Sequence, residues 1–328
     1  MYRPIVSGAW SGRVDAEDGL EGRRWHQVVR YINLEKDQLP LLTSSQKGIT
    51  ILGFCTDEGV RRNQGRVGAK GGPDQIRKYI MSLPVHFQHT HALIECGNVY
   101  CESENLEQAQ EEAGQTIFRF LSHSFLSVVL GGGHEIAYGH FLGIASFLER
   151  EKKLDQLGVI NLDAHFDLRR SSVASSGTPF LQMANYLTSR ELPFAYFCIG
   201  IQESGNTQAL FQVADSLHVK YIQAGDVHMV YKDQLLKQID EFIATKKYIY
   251  LTICLDVFAA AYAPGVSAPT ANGILPDIAI EVITYLMKSK KVIACDLAEL
   301  NPDFDTDDRT ARLASKLIYT VVQNYFEA

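Results

Sequence analysis

The stretch Asn161-Leu162-Asp163-Ala164-His165-Phe166-Asp167 is the part of this chain that decides its fold and its chemistry. It continues the apolar run Leu157-Gly158-Val159-Ile160, which predicts a buried strand. Three potential metal ligands therefore stand at alternate positions where a strand ends, and open parallel sheets place their active sites at such ends. Asp and His ligands together suit a divalent cation of intermediate hardness such as Mn²⁺. Taken alone, the stretch is also consistent with an ordinary strand end followed by a polar turn.

A second predicted strand end carries another histidine. The hydrophobic run 125–130 leads directly into Gly131-Gly132-Gly133-His134-Glu135. Three glycines let the backbone turn sharply and pass close to a ligand or ion, so His134 is a candidate metal ligand. A helix-cap role for His134 is the alternative.

The third segment, Tyr248 to Asp256, predicts another buried strand with two candidate ligands at its end. Cys254 and Asp256 point the same way because strand side chains alternate between faces. Six candidate ligands at three strand ends favour a two-metal site. In such a site a bridging carboxylate holds the ions about 3.5 Å apart, so that a shared hydroxide forms at neutral pH.

Together these segments resemble the metal motifs of the arginase/agmatinase ureohydrolase superfamily. Counterparts of its three motifs are Gly-Gly-Gly-His134-Glu135, Asp163-Ala-His165-Phe-Asp167, and Cys254-Leu-Asp256 followed by Ala263-Pro264-Gly265. They occur in the right order, and the resemblance extends from about residue 50 to 318. A set of this kind is specific, whereas each motif alone is not.

Within the superfamily the chain is similar to formimidoylglutamases. Arginases and agmatinases usually have Gly-Gly-Asp-His-Ser where this chain has Gly-Gly-Gly-His134-Glu135. Further segments that resemble formimidoylglutamases lie at 10–15, 24–27, 59–69, 296–302 and 309–314. The resemblance implies metal-dependent hydrolysis of N-formimidoyl-L-glutamate to L-glutamate and formamide in histidine degradation. It also implies Mn²⁺ as cofactor, with two ions per subunit, and a homo-oligomer.

Cys254 departs from the superfamily pattern, because arginases and agmatinases have at this position an Asp that bridges both metals. A metal-bound thiol is deprotonated and still supplies one negative charge. A thiolate is softer than a carboxylate, so we expect one metal to be held firmly and the other weakly, or a preference for a softer ion. Alternatively, Cys254 is a small buried hydrophobe and the site holds one metal.

Glu299 matches the substrate-binding Glu of the superfamily. A carboxylate there would hold the amidinium of the substrate by charge-assisted hydrogen bonds. The alternative is an acid at a helix start near Asn301-Pro302. Where arginases have a His before a Gly-Thr-like turn, this chain has Ser176-Gly177-Thr178, so the general acid is unassigned.

The implied substrate also carries two carboxylates, which arginine forks bind in bidentate fashion. Five arginines are candidates, of which we expect two to contact the substrate, although an arginine run more often forms a solvated or subunit-contacting face. They are Arg61, Arg62 and Arg66 in a Gly-rich loop, and Arg169 and Arg170 after the metal motif. Asn63 and Ser176 are further candidates for orienting the substrate.

Apolar strands and amphipathic helices alternate along the chain, which predicts an α/β fold. Eight strands are expected near 49–54, 92–95, 126–130, 157–162, 195–200, 219–222, 248–255 and 291–295. Eight helices are expected near 73–83, 104–123, 135–149, 180–188, 207–216, 231–245, 276–288 and 309–325. The expected architecture is three-layer α/β/α, arginase-like, with a mostly parallel sheet of roughly eight strands. Residues 1–328 form one domain in this interpretation, and residues 1–45 form an irregular arm that packs across the active-site entrance or against a neighbouring subunit.

Composition restricts the classes of partner. The 328 residues carry a formal charge of −7 and no basic cluster, which argues against nucleic acid. We find no run of 18 apolar residues and no charged-then-apolar leader, so we expect neither a membrane span nor secretion. The six cysteines lack C-x-x-C pairs, which is typical of reduced thiols in a cytoplasmic protein.

Two other functions stay open at this point. One is hydrolysis of a different amidine or guanidine, as in an agmatinase or a guanidinobutyrase, although Gly133-His134-Glu135 and the many arginines argue against a cationic substrate. The other is a catalytically inactive binding protein that kept the fold and lost turnover through Cys254. In either case the expected partner is a small molecule.

Overall fold

The computed structural model describes residues 1–328 and contains one ten-stranded sheet. The strands are β1 (Tyr2–Arg3), β2 (Arg30–Tyr31), β3 (Gly48–Cys55), β4 (Ala92–Tyr100), β5 (Leu126–Gly131), β6 (Leu157–Leu162), β7 (Tyr196–Ile201), β8 (Lys220–Gln223), β9 (Tyr248–Cys254) and β10 (Val292–Ala298). Their order is β1-β4-β3-β5-β10-β9-β6-β7-β8, with β2 also paired to β4. All pairs are parallel except β1 with β4. The eight predicted strands are confirmed, and the two short strands β1 and β2 are additional.

Ten helices accompany the sheet, and eight of them are the predicted ones. They are α1 (Trp25–Val28), α2 (Glu58–Arg62), α3 (Gly72–Ile80), α4 (Leu106–Ser122), α5 (Ile136–Arg150), α6 (Pro179–Thr188), α7 (Gln208–Ser216), α8 (Lys232–Ile243), α9 (Pro276–Lys288) and α10 (Arg309–Glu327). The short helices α1 and α2 were not expected, because four or five residues are too few to show a helical period. No helix combines the length and the apolar character that crossing a membrane requires.

Side chains of the strands alternate between two hydrophobic clusters, one on each face of the sheet. In β5, Leu126, Val128 and Leu130 belong to the cluster that α3, α8, α9 and α10 cover, whereas Val129 belongs to the cluster that α4, α5, α6 and α7 cover. Both faces of the sheet are therefore buried, as is usual for parallel sheets. The expected three-layer architecture is confirmed.

The N-terminal arm packs on its own chain, away from the cavity described below. Trp10 and Trp25 are buried in the cluster under α3 and α10, and the Trp25 ring lies 6.4 Å from the rings of both Phe87 and Tyr319. No residue of the arm lines the cavity, so the expectation that the arm covers the active-site entrance is wrong. Packing of the arm against a neighbouring subunit stays a prediction.

The turn after β5 is held by backbone contacts that leave no room for a side chain. Gly132 N–H donates to the carbonyl of Phe54 at 2.8 Å, and Gly133 N–H donates to the carbonyl of Thr56 at 3.0 Å. A Cβ on Gly132 would lie 1.8 Å from the Thr56 carbonyl oxygen. Glycine is therefore required at position 132, two residues before the histidine that this turn presents.

We expect Gly132→Ala to destabilise the protein, because the added methyl forces the turn away from β3. Overpacking of this kind costs about 1–3 kcal/mol of unfolding free energy. The matched control is Gly225→Ala, where a Cβ would meet nothing within 4 Å. Urea unfolding of both variants checks this, and equal midpoints for the two would show that the turn adapts.

Candidate active site

The ends of β5, β6, β9 and β10 surround a cavity of about 350 Å³. Only four of its 19 lining residues are hydrophobic, so the cavity suits a small polar ligand. The predicted metal ligands His134, His165, Asp167, Cys254 and Asp256 all line it. Asp163, the remaining predicted ligand, lies fully buried behind them.

The first histidine faces two carboxylates. His134 Nδ1 lies 3.0 Å from Asp163 Oδ2 and 3.0 Å from Asp167 Oδ2. The ring is aligned for a hydrogen bond with neither oxygen, so this buried nitrogen has no hydrogen-bond partner. One unpaired nitrogen and two carboxylate oxygens directed at the same point form three corners of a cation site.

The second histidine faces the other side of Asp163. His165 Nδ1 lies 3.2 Å from Asp256 Oδ2 and 3.6 Å from Asp163 Oδ1. Asp163 thus directs one carboxylate oxygen at each histidine. If two cations were bound, Asp163 would be the carboxylate able to contact both, because its oxygens face different histidines.

The charge balance of the cluster also fits bound cations. Burial opposes the charged form of His134, but Asp163 and Asp167 raise its pKa well above its ordinary value. Burial also opposes the charged form of His165, but Asp256 and Asp163 raise its pKa well above its ordinary value. A divalent cation binds the deprotonated imidazole, so cation binding here would release protons from the two histidines.

The Cys254 thiol lies within this cluster. Its sulfur and the ligand atoms of His134 and Asp163 lie within 4.8 Å of one another. Burial, with the charges of Asp163 and Asp256, raises the pKa of the thiol well above its usual value, and a bound cation would reverse this. Cys254 belongs to neither hydrophobic cluster, which favours a ligand role over the alternative of a core residue.

Glu299 follows β10 and lies at the edge of the metal cluster. Its Oε1 accepts a 2.8 Å hydrogen bond from the backbone N–H of His134, while its Oε2 is buried without a partner. Burial, with the charge of Asp256, raises the pKa of Glu299 to about 7. The residue has φ 73° and precedes the short helical turn Pro302–Phe304, so it does not serve as a helix-start acid.

Arg170 does not line the cavity, but four of the seven candidate substrate-binding residues do. They are Asn63, Arg66, Arg169 and Ser176. The Arg66 guanidinium already donates to the carbonyls of Val266 and Ser267 and stacks 4.1 Å over the Phe304 ring. Arg169 lines the cavity with an exposed side chain that donates no hydrogen bond to protein, so its fork is free to bind an anion.

Arg61 and Arg62 do not reach the cavity, and for them the sequence-based expectation is wrong. Arg61 binds Glu58 in bidentate fashion at 2.7 Å. Arg62 binds Glu107 at 2.7 Å and the carbonyl of Ala174 at 3.2 Å. Carboxylates of the same chain neutralise both guanidinium groups. Arg62 contacts both Glu107 in α4 and Ala174 in the loop that carries Ser176.

Two residues that the sequence analysis missed support the site. Asn206 donates to the carbonyl of Ala164 at 2.9 Å and accepts from the N–H of Phe166 at 3.0 Å. These bonds fix the loop after β6, in which Ala164 and Phe166 alternate with the candidate ligands. Glu135 accepts from Gly59 N–H at 2.9 Å and so joins α2 to the glycine turn. Glu135 already belonged to a recognised motif, whereas nothing in the sequence around Asn206 marks it.

Comparisons with known proteins agree with this geometry. The arginase family model matches residues 47–323. A formimidoylglutamase of Clostridium tetani is 40% identical over 325 residues, which cover 98% of this chain and 95% of that protein. A Trypanosoma cruzi formiminoglutamase with Mn²⁺ has a TM-score of 0.74 at 25% identity, over 85% of this chain and 94% of that one. A Bacillus subtilis formimidoylglutamase has the same fold, with a TM-score of 0.80 at 20% identity over 97% of this chain and 95% of that one.

The family model spans most of the chain, and a curated relative is 40% identical along nearly the whole of it. The resemblance deduced from the metal motifs is therefore confirmed, and this chain belongs to the arginase family, with formimidoylglutamases among its relatives.

Proposed function

We propose that this protein hydrolyses N-formimidoyl-L-glutamate to L-glutamate and formamide, the reaction of histidine degradation, with Mn²⁺ as cofactor. The observation that carries the proposal is one cavity that joins the two-histidine cluster and Glu299 to a free arginine, Arg169. The Clostridium tetani relative is a formimidoylglutamase, and the Trypanosoma cruzi enzyme of the same fold contains Mn²⁺.

Six side chains would hold the metal: His134, Asp163, His165, Asp167, Cys254 and Asp256. Bound Mn²⁺ would supply Lewis acidity and generate the nucleophile at neutral pH. Asp163 would serve both ions, because its two oxygens face different histidines. Cys254 is the one soft ligand among hard ones, so we expect the ion on the His134 side to be the more sensitive to the choice of metal.

Glu299 would bind the amidinium of the substrate. Its unpartnered Oε2 requires a donor, and an amidinium N–H supplies one together with a compensating charge. The other oxygen is fixed by the His134 backbone, so the carboxylate is oriented before the substrate arrives. This holds the reacting carbon beside the metal cluster.

One wall of the cavity would bind the carboxylates of the substrate. Arg169, Asn63 and Ser176 line this wall around Gly177, where a Cβ would lie 3.1 Å from the Asn63 amide and 3.3 Å from Arg169 Nε. Arg66 adds positive charge to the wall, although two backbone carbonyls already engage its guanidinium. We assign the main anion contact to Arg169.

The relatives do not favour the alternative functions, and the charged residues of the cavity also argue against them. A substrate that is cationic at both ends would place one cation against Arg169. An inactive binding protein would not need the six potential ligands together, and all six are present. Assembly into a homo-oligomer, a cytoplasmic location and a single domain over residues 1–328 remain predictions of the family resemblance and the composition.

The decisive measurement is turnover of N-formimidoyl-L-glutamate by Mn²⁺-reconstituted protein, with agmatine and arginine as parallel substrates and metal content determined on the same sample. We expect formamide and glutamate from the first substrate only. Urea from either guanidine would reassign the protein to another branch of the family. Loaded metal without any product would favour the binding protein.

Arg169→Gln should raise KM for formimidoylglutamate while kcat changes little, because the lost contact is made in both ground and transition states. Losing one charge-assisted hydrogen-bond partner costs about 1.5–3 kcal/mol, or roughly 10- to 150-fold in kcat/KM. The control is Arg61→Gln, whose guanidinium binds Glu58 outside the cavity. Steady-state kinetics test this, and equal effects of the two variants would remove Arg169 from the substrate site.

Glu299→Gln should reduce kcat/KM strongly and leave the metal content unchanged, because glutamine keeps the acceptor for the His134 N–H and loses the charge. Removing one partner of a buried charged pair costs about 2–5 kcal/mol. Kinetics together with metal analysis of the same preparation check this. Loss of metal instead of turnover would show that Glu299 stabilises the cluster and does not bind the amidinium.

A further inference from the structure

A second group of polar side chains lies beneath the metal cluster and does not reach the cavity. Its five members are fully buried: Ser127, His140, Tyr250, Thr252 and Asp296. Buried polar groups are costly unless all their hydrogen bonds are satisfied, so such a network needs an explanation. The group extends from β5 and α5 to β9 and β10, and it ends at a metal ligand, His134.

Asp296 is the centre of this network. Its Oδ1 accepts a 2.5 Å hydrogen bond from Thr252 Oγ1, and its Oδ2 lies 2.7 Å from His140 Nδ1. The Tyr250 hydroxyl also donates to Oδ2. An ionised carboxylate has only acceptors, so each of these three neighbours must direct its hydrogen at Asp296.

This arrangement sets the direction of the next hydrogen bond. Thr252 has one hydroxyl hydrogen, and Asp296 takes it. Thr252 Oγ1 lies 2.9 Å from His134 Nε2 and must therefore accept a hydrogen from that nitrogen. The opposite ring nitrogen, Nδ1, faces Asp163 and Asp167 at 3.0 Å and needs a lone pair to bind a metal.

We propose that Asp296, acting through Thr252, is a positioning residue that keeps the proton of His134 on Nε2 and thereby leaves Nδ1 free to bind metal. Without this constraint neutral imidazole can place its hydrogen on either nitrogen, and a hydrogen on Nδ1 would point at the metal position. The inference rests on the metal binding of the proposed function, but it does not depend on the identity of the substrate.

The sheet explains why the three residues meet. Asp296 in β10 is the register partner of Thr252 in β9, so their side chains are neighbours on one face. Cys254 follows Thr252 by two residues and points the same way into the metal cluster. One face of β9 therefore carries both Cys254, a candidate ligand, and, two residues earlier, Thr252, which contacts the His134 ring.

The test compares Mn²⁺ affinities of full-length variants, with free Mn²⁺ followed by its EPR signal. Thr252→Val keeps the shape and removes the hydroxyl, and we expect the Kd for one Mn²⁺ to rise roughly 10- to 100-fold, as when outer hydrogen-bond partners of ligands are lost. Thr252→Ser keeps the hydroxyl and should restore wild-type affinity. Tyr250→Phe is the matched control, because it removes a different donor to Asp296 and leaves the Thr252 contact with His134 in place.

Each outcome decides the proposal. Weak Mn²⁺ binding in Thr252→Val alone supports it, and recovery of kcat at saturating Mn²⁺ would separate positioning from a general loss of structure. Wild-type affinity in folded Thr252→Val overturns it, and so does equal weakening in Tyr250→Phe. If Thr252→Val does not fold, Thr252→Ala decides, since it also removes the hydroxyl and unchanged affinity there overturns the proposal. Absence of Mn²⁺ binding in the wild type would overturn the proposed cofactor itself.

Discussion

The site depends on one electrostatic constraint, which is that three buried carboxylates and one partly exposed carboxylate lie close together with no lysine or arginine within ion-pair distance. Asp163, Asp167 and Asp256 have only the two imidazoles within ion-pair distance, and Glu299 has no cationic partner. Burying unpaired charge costs several kcal/mol per ion. The fold tolerates this arrangement because divalent cations compensate the charge, so metal binding stabilises the same region that it activates.

The sheet brings these charges together, and this much was predictable from sequence. Runs of apolar residues end in candidate ligands at Asp163, at Cys254 and after Gly133, and parallel strands end at a common edge. Seven of the eight predicted strands have six to nine residues, most of them buried, whereas β8 has only four. Strands β1 and β2 were not predicted, since two residues carry no period, and they are formed by pairing with β4.

Side-chain partners were the part that sequence could not supply. Arg61, Arg62 and Arg169 are equivalent as residue types, yet Glu58 and Glu107 neutralise the first two and leave the third free. Those acids come from α2 and α4, and only the tertiary fold brings α4 close. The arm around Trp25 was misplaced for the same reason, because its partners Phe87 and Tyr319 are distant in sequence.

In the proposed function, the polarity of the cavity would account for selectivity within the family. Glu299 and five candidate metal ligands line the same cavity as Arg169, Asn63 and Ser176. Formimidoylglutamate has a cationic amidine at one end and two carboxylates at the other, so the amidine would bind at Glu299 and the carboxylates at Arg169. A doubly cationic substrate such as agmatine would be attracted by Glu299 and repelled by Arg169, since like charges in a confined site repel. Arg169 would therefore discriminate by repulsion as well as by attraction, and its removal would weaken binding of formimidoylglutamate and would no longer exclude agmatine.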